Sequence, residues 1–186
     1  MQRIAKNNAR EDYSATPGSG RVRRGRGFTL VELMIAIAIL GVLVAAAAPS
    51  LTGMVREQRI KSASFDMFAT FAYARSEALK RNASINIVRT GADWAGGWSV
   101  QSGGVTLRSQ VAYPNVAITA LDTANAVIAG GTVTYQGSGR LGTSPAPTFV
   151  FSATGTTAAP RCVVVNISGQ ASVRRDNDTD PSNRCG

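Results

Sequence analysis

An apolar run near the N-terminus constrains this chain more than any other feature, because it is long enough to cross a membrane. Phe28–Ala48 has 21 residues. As a helix it would extend about 31 Å, which matches the hydrocarbon core of a bilayer. Within the run, Glu32 places a carboxylate where a charge costs up to about 3 kcal/mol and therefore needs a partner. Pro49 follows at once and is expected to break or kink the helix.

The segment before the apolar run is polar and basic. Met1–Gly27 holds seven of the 20 Lys and Arg residues and carries +5 of the chain's formal charge of +9. Basic residues before an apolar span mark its cytoplasmic flank, so most of this charge indicates membrane topology and not a nucleic-acid-binding surface. Cleavage after the run, as in a secretory signal peptide, is disfavoured because the run continues directly into an amphipathic pattern. We predict that this leader is removed and that the apolar helix is kept.

The rest of the chain predicts an α+β domain. From Leu51 to Arg81, apolar residues recur at three- and four-residue steps, which indicates that the apolar helix continues as an amphipathic one. After Asn82, alternating or apolar stretches between glycine- and proline-bearing turns predict a mainly antiparallel sheet that packs on this helix. Residues 120–129 fit either a short helix or a loop. The predicted strands are Ser84–Arg89, Gly97–Val100, Val105–Val111, Thr132–Gln136, Thr148–Ser152 and Cys162–Ser168.

Residue usage argues against an enzyme and against a zinc protein. The chain has no histidine, which is the commonest general base and metal ligand. Its two cysteines, Cys162 and Cys185, are too few for a four-ligand zinc site. In a domain outside the cytoplasm this pair is expected to form a disulfide, and two unpaired thiols are the alternative. The acidic stretch Asp176–Asp180 lacks the glycine and final glutamate of an EF-hand. We predict no catalytic residue, no metal site and no cofactor.

The junction RGRG–FTLVE (Arg24–Glu32) resembles the class III signal of type IV prepilins and type II secretion pseudopilins. The resemblance implies that a prepilin peptidase cleaves after Gly27 and that the new N-terminal residue, Phe28, is N-methylated. Glu32 then becomes the fifth mature residue, where those proteins carry a glutamate, and Pro49 takes the place of their helix-bending proline. The amine of Phe28 in a neighbouring filament subunit would supply the partner that Glu32 needs. A first-turn glutamate that interacts only with the helix dipole is the alternative.

The remainder of the chain resembles the GspH/FimT family of minor pilins and pseudopilins. The residues that carry this resemblance are ARSEA (Ala74–Ala78) at the helix end and WAGGW (Trp94–Trp98) in a turn after the next strand. The resemblance implies a type IV pilin-like fold, with a long kinked helix packed on an antiparallel sheet domain. We interpret Arg75 and Glu77 as helix-end residues that join the helix to the sheet. The two tryptophans are expected to cover the helix–sheet edge. The chain then divides into a leader (1–27), a transmembrane and assembly helix (28–53) and a globular domain (54–186).

The first function class is structural. It is a minor pilin of a type IV pilus, a subunit that helps to initiate or cap pilus assembly. A minor pseudopilin of a type II secretion system is an alternative, although CVVVNISG before a terminal cysteine favours the pilus branch. The expected partners are other major and minor pilins, the prepilin peptidase, the inner-membrane assembly platform and, before assembly, the lipid bilayer. The expected location is the bacterial inner membrane, single-pass with the domain in the periplasm, followed by incorporation into the pilus or pseudopilus.

The second function class is a DNA-binding minor pilin for natural transformation. Some FimT-like minor pilins resemble DNA receptors with a C-terminal Gly-Arg-x-Arg motif, and here Gly169–Ser172 stands in its place without either arginine. Arg174 and Arg175 follow, and Arg161 and Arg184 would lie near them if the tail folds back. Several arginines on one edge would contact phosphates in a salt-dependent way. The acidic stretch that comes directly after them opposes this function, because its aspartates repel DNA or pair with the arginines.

Overall fold

The computed structural model describes residues 27–153, 158–177, 182–183 and 185, and for residues 47–50 it describes the helical backbone only. The chain divides into two compact units, Met1–Val42 and Leu43–Gly186, which are described separately. The predicted leader lies outside the described residues, apart from Gly27. The predicted boundary after residue 53 stays a prediction, because these two units follow internal contacts and not cleavage or membrane position.

The helix α1 spans Leu30–Arg81, a total of 52 residues, so the apolar run and the amphipathic stretch are helical as predicted. Taken one at a time, no helix in the described part of the chain meets the length and apolarity needed to cross a membrane. The segments Leu30–Ala46 and Leu51–Arg81 meet that criterion together as a bent pair, by length and composition alone. The side chain of Pro49 lies outside the described residues, so the predicted role of this proline stays a prediction.

In the second unit, eight strands form two four-stranded antiparallel sheets. The strand order is β3-β2-β1-β5 in the first sheet and β4-β6-β7-β8 in the second. A short 3-10 helix at Trp94–Gly96 precedes β2. The strands are β1 (Ile85–Arg89), β2 (Trp98–Ser102), β3 (Val105–Gln110), β4 (Ala117–Leu121), β5 (Thr132–Tyr135), β6 (Thr148–Ser152), β7 (Arg161–Val165) and β8 (Ala171–Arg175).

These elements confirm the predicted α+β class, with a helix followed by antiparallel sheets. All six predicted strands are present, and their ends differ from the prediction by at most three residues. The strands β4 and β8 were not predicted. Residues 120–129, which fitted either a short helix or a loop, form the end of β4 and a loop. In this loop the Asp122 carboxylate accepts hydrogen bonds from the backbone N–H groups of Ala124 and Ala126. Side-chain bonds of this kind compete with helix formation.

The core lies between α1 and both sheets. Its helix side chains recur at three- and four-residue steps and are almost wholly buried. Phe71 touches both sheets: its ring centroid lies 5.4 Å from that of Phe149 in β6 and 6.3 Å from that of Tyr135 in β5. One helix therefore packs against two sheets, which explains why its buried face is continuous. The buried helix residues are Ile60, Ala63, Met67, Phe71, Ala74 and Ala78.

The two tryptophans are buried at the helix–sheet boundary, as expected. Trp98 donates its ring N–H to the hydroxyl of Thr70 on α1, with 2.9 Å between Nε1 and Oγ1. Its ring stacks on Tyr113 at a centroid distance of 5.8 Å. Trp94 presents an edge contact to Phe149 at 4.9 Å. These contacts join the turn before β2 to the helix and to the second sheet, which is a packing role.

Candidate functional site

The predicted assembly residue Glu32 lies in the first turn of α1, and the predicted processing residues Gly27 and Phe28 come just before the helix. Thr29 caps the helix: its hydroxyl accepts a hydrogen bond from the backbone N–H of Glu32 at 3.1 Å, and its carbonyl accepts one from Leu33 at 3.1 Å. A threonine followed three residues later by a glutamate is the capping-box sequence, so this cap was open to prediction from the sequence. Gly27, Phe28, Thr29 and Glu32 line one open cavity of about 470 Å³. Phe28 and Glu32 are both exposed.

In the described part of the first unit, residues 27–42, the helix has no buried residue. Its large apolar side chains are each between 55% and 74% exposed, on every side of the helix. A helix that is apolar all round needs lipid or other helices around it. These side chains therefore form an apolar surface of the kind that lipid or other helices cover. They are Leu30, Val31, Leu33, Met34, Ile35, Ile37, Ile39, Leu40 and Val42.

The two cysteines form a disulfide, as expected. Cys162 in β7 pairs with Cys185, and their Cα atoms are 5.9 Å apart. The bond lies with Leu121 and Val150 in a small cluster that is separate from the main core, and it ties the C-terminal segment to the second sheet. The carboxylate of Asp176 lies within 4.8 Å of both sulfurs. Because the sulfurs are bonded to each other, they offer no thiolate to a metal ion.

The candidate arginines do not share one face of the second sheet. In the β7–β8 register, Arg161 is opposite Arg175, whereas Arg174 is opposite Cys162. Since successive strand residues point to opposite faces, Arg174 and Arg175 project in opposite directions. Arg175 faces α1, where its Nη2 atom lies 4.0 Å from Oε1 of Glu57. Arg184 lies outside the described residues. The predicted cluster of arginines is thus divided between two faces, and one of its members is in an ion pair.

The helix and the β7–β8 hairpin enclose a groove of about 490 Å³, here called the β8 groove. Phe68, Ala72 and Arg75 of α1 form one wall, and the segment Gln170–Ser172 with Arg174 forms the other. Arg75 was not among the candidate DNA-binding arginines, because no local sequence pattern connects it to β8, about a hundred residues later in the chain. No carboxylate lines this groove in the part of the chain that the structure describes. The groove therefore combines an apolar helix face, the edge of a strand and two arginines.

Two loops hold the β8 groove in shape through Gly139 and Gly169. Arg75 donates its Nε–H to the carbonyl of Gly139 at 3.2 Å, so this arginine joins the helix to a loop between the sheets, as expected. Tyr135 donates its hydroxyl to the carbonyl of Gly169 at 3.1 Å, and burial raises the pKa of this tyrosine above its usual value. Gly169 has a φ of +83°, and a Cβ atom there would lie 2.1 Å from the carbonyl oxygen of Gly139. The hairpin turn therefore requires glycine.

Glu77 was interpreted as a residue that joins the helix to the sheet, but both of its ion pairs are with residues of α1. Its carboxylate oxygens lie 2.6 Å from Nε of Arg81 and 3.7 Å from Nζ of Lys80. Residues three and four positions apart are neighbours on a helix, so both cations reach the same carboxylate. The hydrogen bond from Arg81 is the main cause that lowers the pKa of Glu77 below its usual value.

Comparison with known proteins agrees with this geometry. Residues 63–169, more than half of the chain, match the family of the type II transport protein GspH. The chain belongs to this family. Residues 22–48 match the prokaryotic N-terminal methylation motif, which includes Gly27, Phe28 and Glu32. The strand β8 and Cys185 lie after residue 169, outside the part of this GspH-family protein that matches the family. The helix wall of the β8 groove is therefore within the matched residues, and the β8 wall is largely outside them.

The fold is also similar to that of the type IV minor pilin FimU of Pseudomonas aeruginosa (strain PAO1). One crystal form of FimU superposes with a TM-score of 0.53 and 22% identity, covering 66% of this chain and 96% of the FimU chain. A second crystal form gives a TM-score of 0.51 and 23% identity, covering 64% and 99% of the two chains. At this level of identity the similarity establishes the fold, and it confirms the type IV pilin-like architecture.

Proposed function

We propose that this GspH-family protein is a minor pilin of a type IV pilus, a structural subunit that helps to initiate or cap the filament. The observation that carries the proposal is the methylation motif on a helix whose apolar side chains are exposed on every side. Such a helix is stable in a bilayer, and in a filament other helices replace the lipid. The protein is held in the bacterial inner membrane by this helix, with the domain in the periplasm, before it enters the pilus.

The proposed chemistry of assembly begins with cleavage after Gly27, which creates an amine at Phe28. Among the described residues, no hydrogen bond or ion pair joins the Glu32 carboxylate to another group. An unpaired carboxylate in an apolar helix is costly, and the amine of Phe28 in a neighbouring, staggered subunit would neutralise it. Major and minor pilins, the prepilin peptidase and the inner-membrane assembly platform are the proposed partners.

Glu32→Gln tests this role of the carboxylate. Loss of a desolvated ion pair costs about 3 kcal/mol, which corresponds to more than about a hundredfold in an equilibrium constant. We therefore expect the variant to be cleaved normally but to be nearly absent from sheared pili on immunoblots. Thr29→Ala is the matched control, because it removes the helix cap at a cost of about 1 kcal/mol and keeps the carboxylate. Equal incorporation of Glu32→Gln and the unchanged protein would contradict the proposed pairing.

A deletion strain tests membership of the pilus system. We expect deletion to lower surface piliation and to leave type II secretion of a reporter enzyme unchanged, with recovery on complementation. The reverse result would identify a minor pseudopilin, which the family's own description keeps as the alternative. The intact mass of the mature protein provides an independent check. It should show loss of Met1–Gly27, one added methyl group and two fewer hydrogens at the cysteines.

A further inference from the structure

The strand β8 ends the second sheet, and its pairing with β7 determines which of its backbone groups are used. At one end of the hairpin, the N–H of Asn166 donates to the carbonyl of Gln170 at 3.0 Å. At the other end, the N–H of Asp176 donates to the carbonyl of Pro160 at 3.0 Å. In an antiparallel pair, hydrogen-bonded and non-hydrogen-bonded positions alternate. The even-numbered residues 170 to 176 therefore direct their backbone groups towards β7.

The odd-numbered residues of β8 direct their N–H and C=O groups the other way, towards the free edge of the sheet. In β8 these residues are Ala171, Val173 and Arg175. In the described part of the chain, β8 pairs with β7 alone and no hydrogen bond uses these outward groups. A row of unused donors and acceptors is a template for another strand. Ala171 also lines the β8 groove, so the template opens into that groove.

The side chains around this edge indicate the chemistry of an occupant. Phe68 and Ala72 give the groove an apolar wall, and Arg75 and Arg174 add two cations without a lining carboxylate. Two described acidic residues lie near the strand. Glu57 is paired with Arg175 on the other face, and the carboxylate of Asp176 is buried beside the disulfide and does not line the groove. Charge complementarity therefore requires an anionic occupant. The edge itself requires an occupant with alternating N–H and C=O groups, which a peptide has and a nucleic acid lacks.

We propose that the β8 groove binds an extended, acidic segment of a neighbouring subunit. The segment would pair with β8 as an added strand, place an apolar side chain against Phe68, and place a carboxylate beside Arg75 and Arg174. This proposal rests on the proposed function, since a filament subunit supplies the segment. It adds a specific contact surface to that function. This surface includes Gly169–Ser172, the stretch that stands in place of the Gly-Arg-x-Arg motif.

The experiment uses the full-length protein in a mild detergent and a labelled peptide of alternating threonine and valine with two aspartates. Binding is measured by fluorescence anisotropy, and the paired edge is located by amide hydrogen exchange. We expect the peptide to bind and to slow the exchange of the Ala171 and Val173 amides. The same peptide with lysines in place of aspartates should bind more weakly, as should the aspartate peptide with alternate amides N-methylated. Arg174→Glu should weaken binding by about fivefold, the scale of exposed charge pairs.

Val173→Pro separates edge pairing from charge. Proline removes the outward N–H of this residue while leaving the bonds to β7 in place, and it is close to valine in size. We expect this variant to lose binding with an unchanged thermal midpoint. If it fails to fold, the N-methylated peptide and Arg174→Glu decide the question.

Several outcomes would overturn the inference. One is equal binding of the N-methylated peptide, and another is the absence of protection at residues 171 and 173. A third is Arg174-dependent binding of a single-stranded oligonucleotide in place of the peptide, which would identify a DNA-binding groove. Loss of pili on deletion together with no peptide binding would refute this inference alone. Unchanged piliation on deletion would refute the proposed function, and with it the inference that rests on that function.

Discussion

Gly169→Ala should destabilise the globular domain far more than an alanine at another glycine of the same backbone geometry. At Gly169, φ is +83° and an added Cβ would lie 2.1 Å from the carbonyl oxygen of Gly139, where ordinary contacts begin at 3.4 Å. The left-handed conformation costs alanine about 1 kcal/mol. Relief of the clash must also separate two loops that are held by hydrogen bonds from Tyr135 and Arg75, each worth about 1 kcal/mol. We expect a total loss of about 3 kcal/mol.

Gly104→Ala is the matched control. Gly104 also has a φ of +83°, but nothing lies within 4 Å of its added Cβ, so its loss should be only about 1 kcal/mol. Urea unfolding in detergent, followed by tryptophan fluorescence, measures both variants, because Trp94 and Trp98 are the two tryptophans of the chain and both are buried in the domain. Equal losses of unfolding free energy in the two variants would refute the argument that the Gly139 contact selects glycine.

Two further predictions concern the disulfide and an ion pair. The Cys162–Cys185 bond spans a sequence separation of 23, so reduction should lower the unfolding free energy by about 3 kcal/mol in urea titrations. An unchanged midpoint would contradict this. Because Arg81 lowers the pKa of Glu77 from 4.5, this pair stabilises the fold above that pH, and its contribution is lost as the pH falls through the lowered folded-state pKa. Stability–pH profiles should show this loss, and Glu77→Gln should lack it.

The sequence predicted the elements whose side-chain pattern is local. The helix α1 followed from apolar residues at three- and four-residue steps, and the six strands followed from alternating or apolar stretches between turn residues. The strand β8 was missed because its sequence, ASVRR, has few apolar residues and ends in two arginines, which were considered only as DNA-binding candidates. The division into two sheets was not predicted either. It depends on which strands pair, as when β1 lies beside β5, and such pairing between distant segments leaves no local pattern.

The same distinction applies to the sites. The capping box at Thr29 and the disulfide pair follow from short spacing or from counting. The β8 groove does not, because Arg75 and Arg174 line the same groove only when the hairpin packs beside α1. Once β8 is known to be a strand, a period of two is sufficient to separate Arg174 from Arg175. The predicted basic cluster therefore depended on one unrecognised strand and not on the charges themselves.

The two interpretations of Glu32 are compatible, because they use different atoms of the residue. The hydroxyl of Thr29 binds the backbone N–H of Glu32 and so completes the helix start within one chain. The carboxylate takes no part in that bond, and the helix dipole offers it less than about 1 kcal/mol at an exposed position. That is well below the cost of about 3 kcal/mol for a charge in an apolar helix. The difference favours a partner for the carboxylate outside its own helix, and the proposed filament would supply one in the Phe28 amine of a neighbouring subunit.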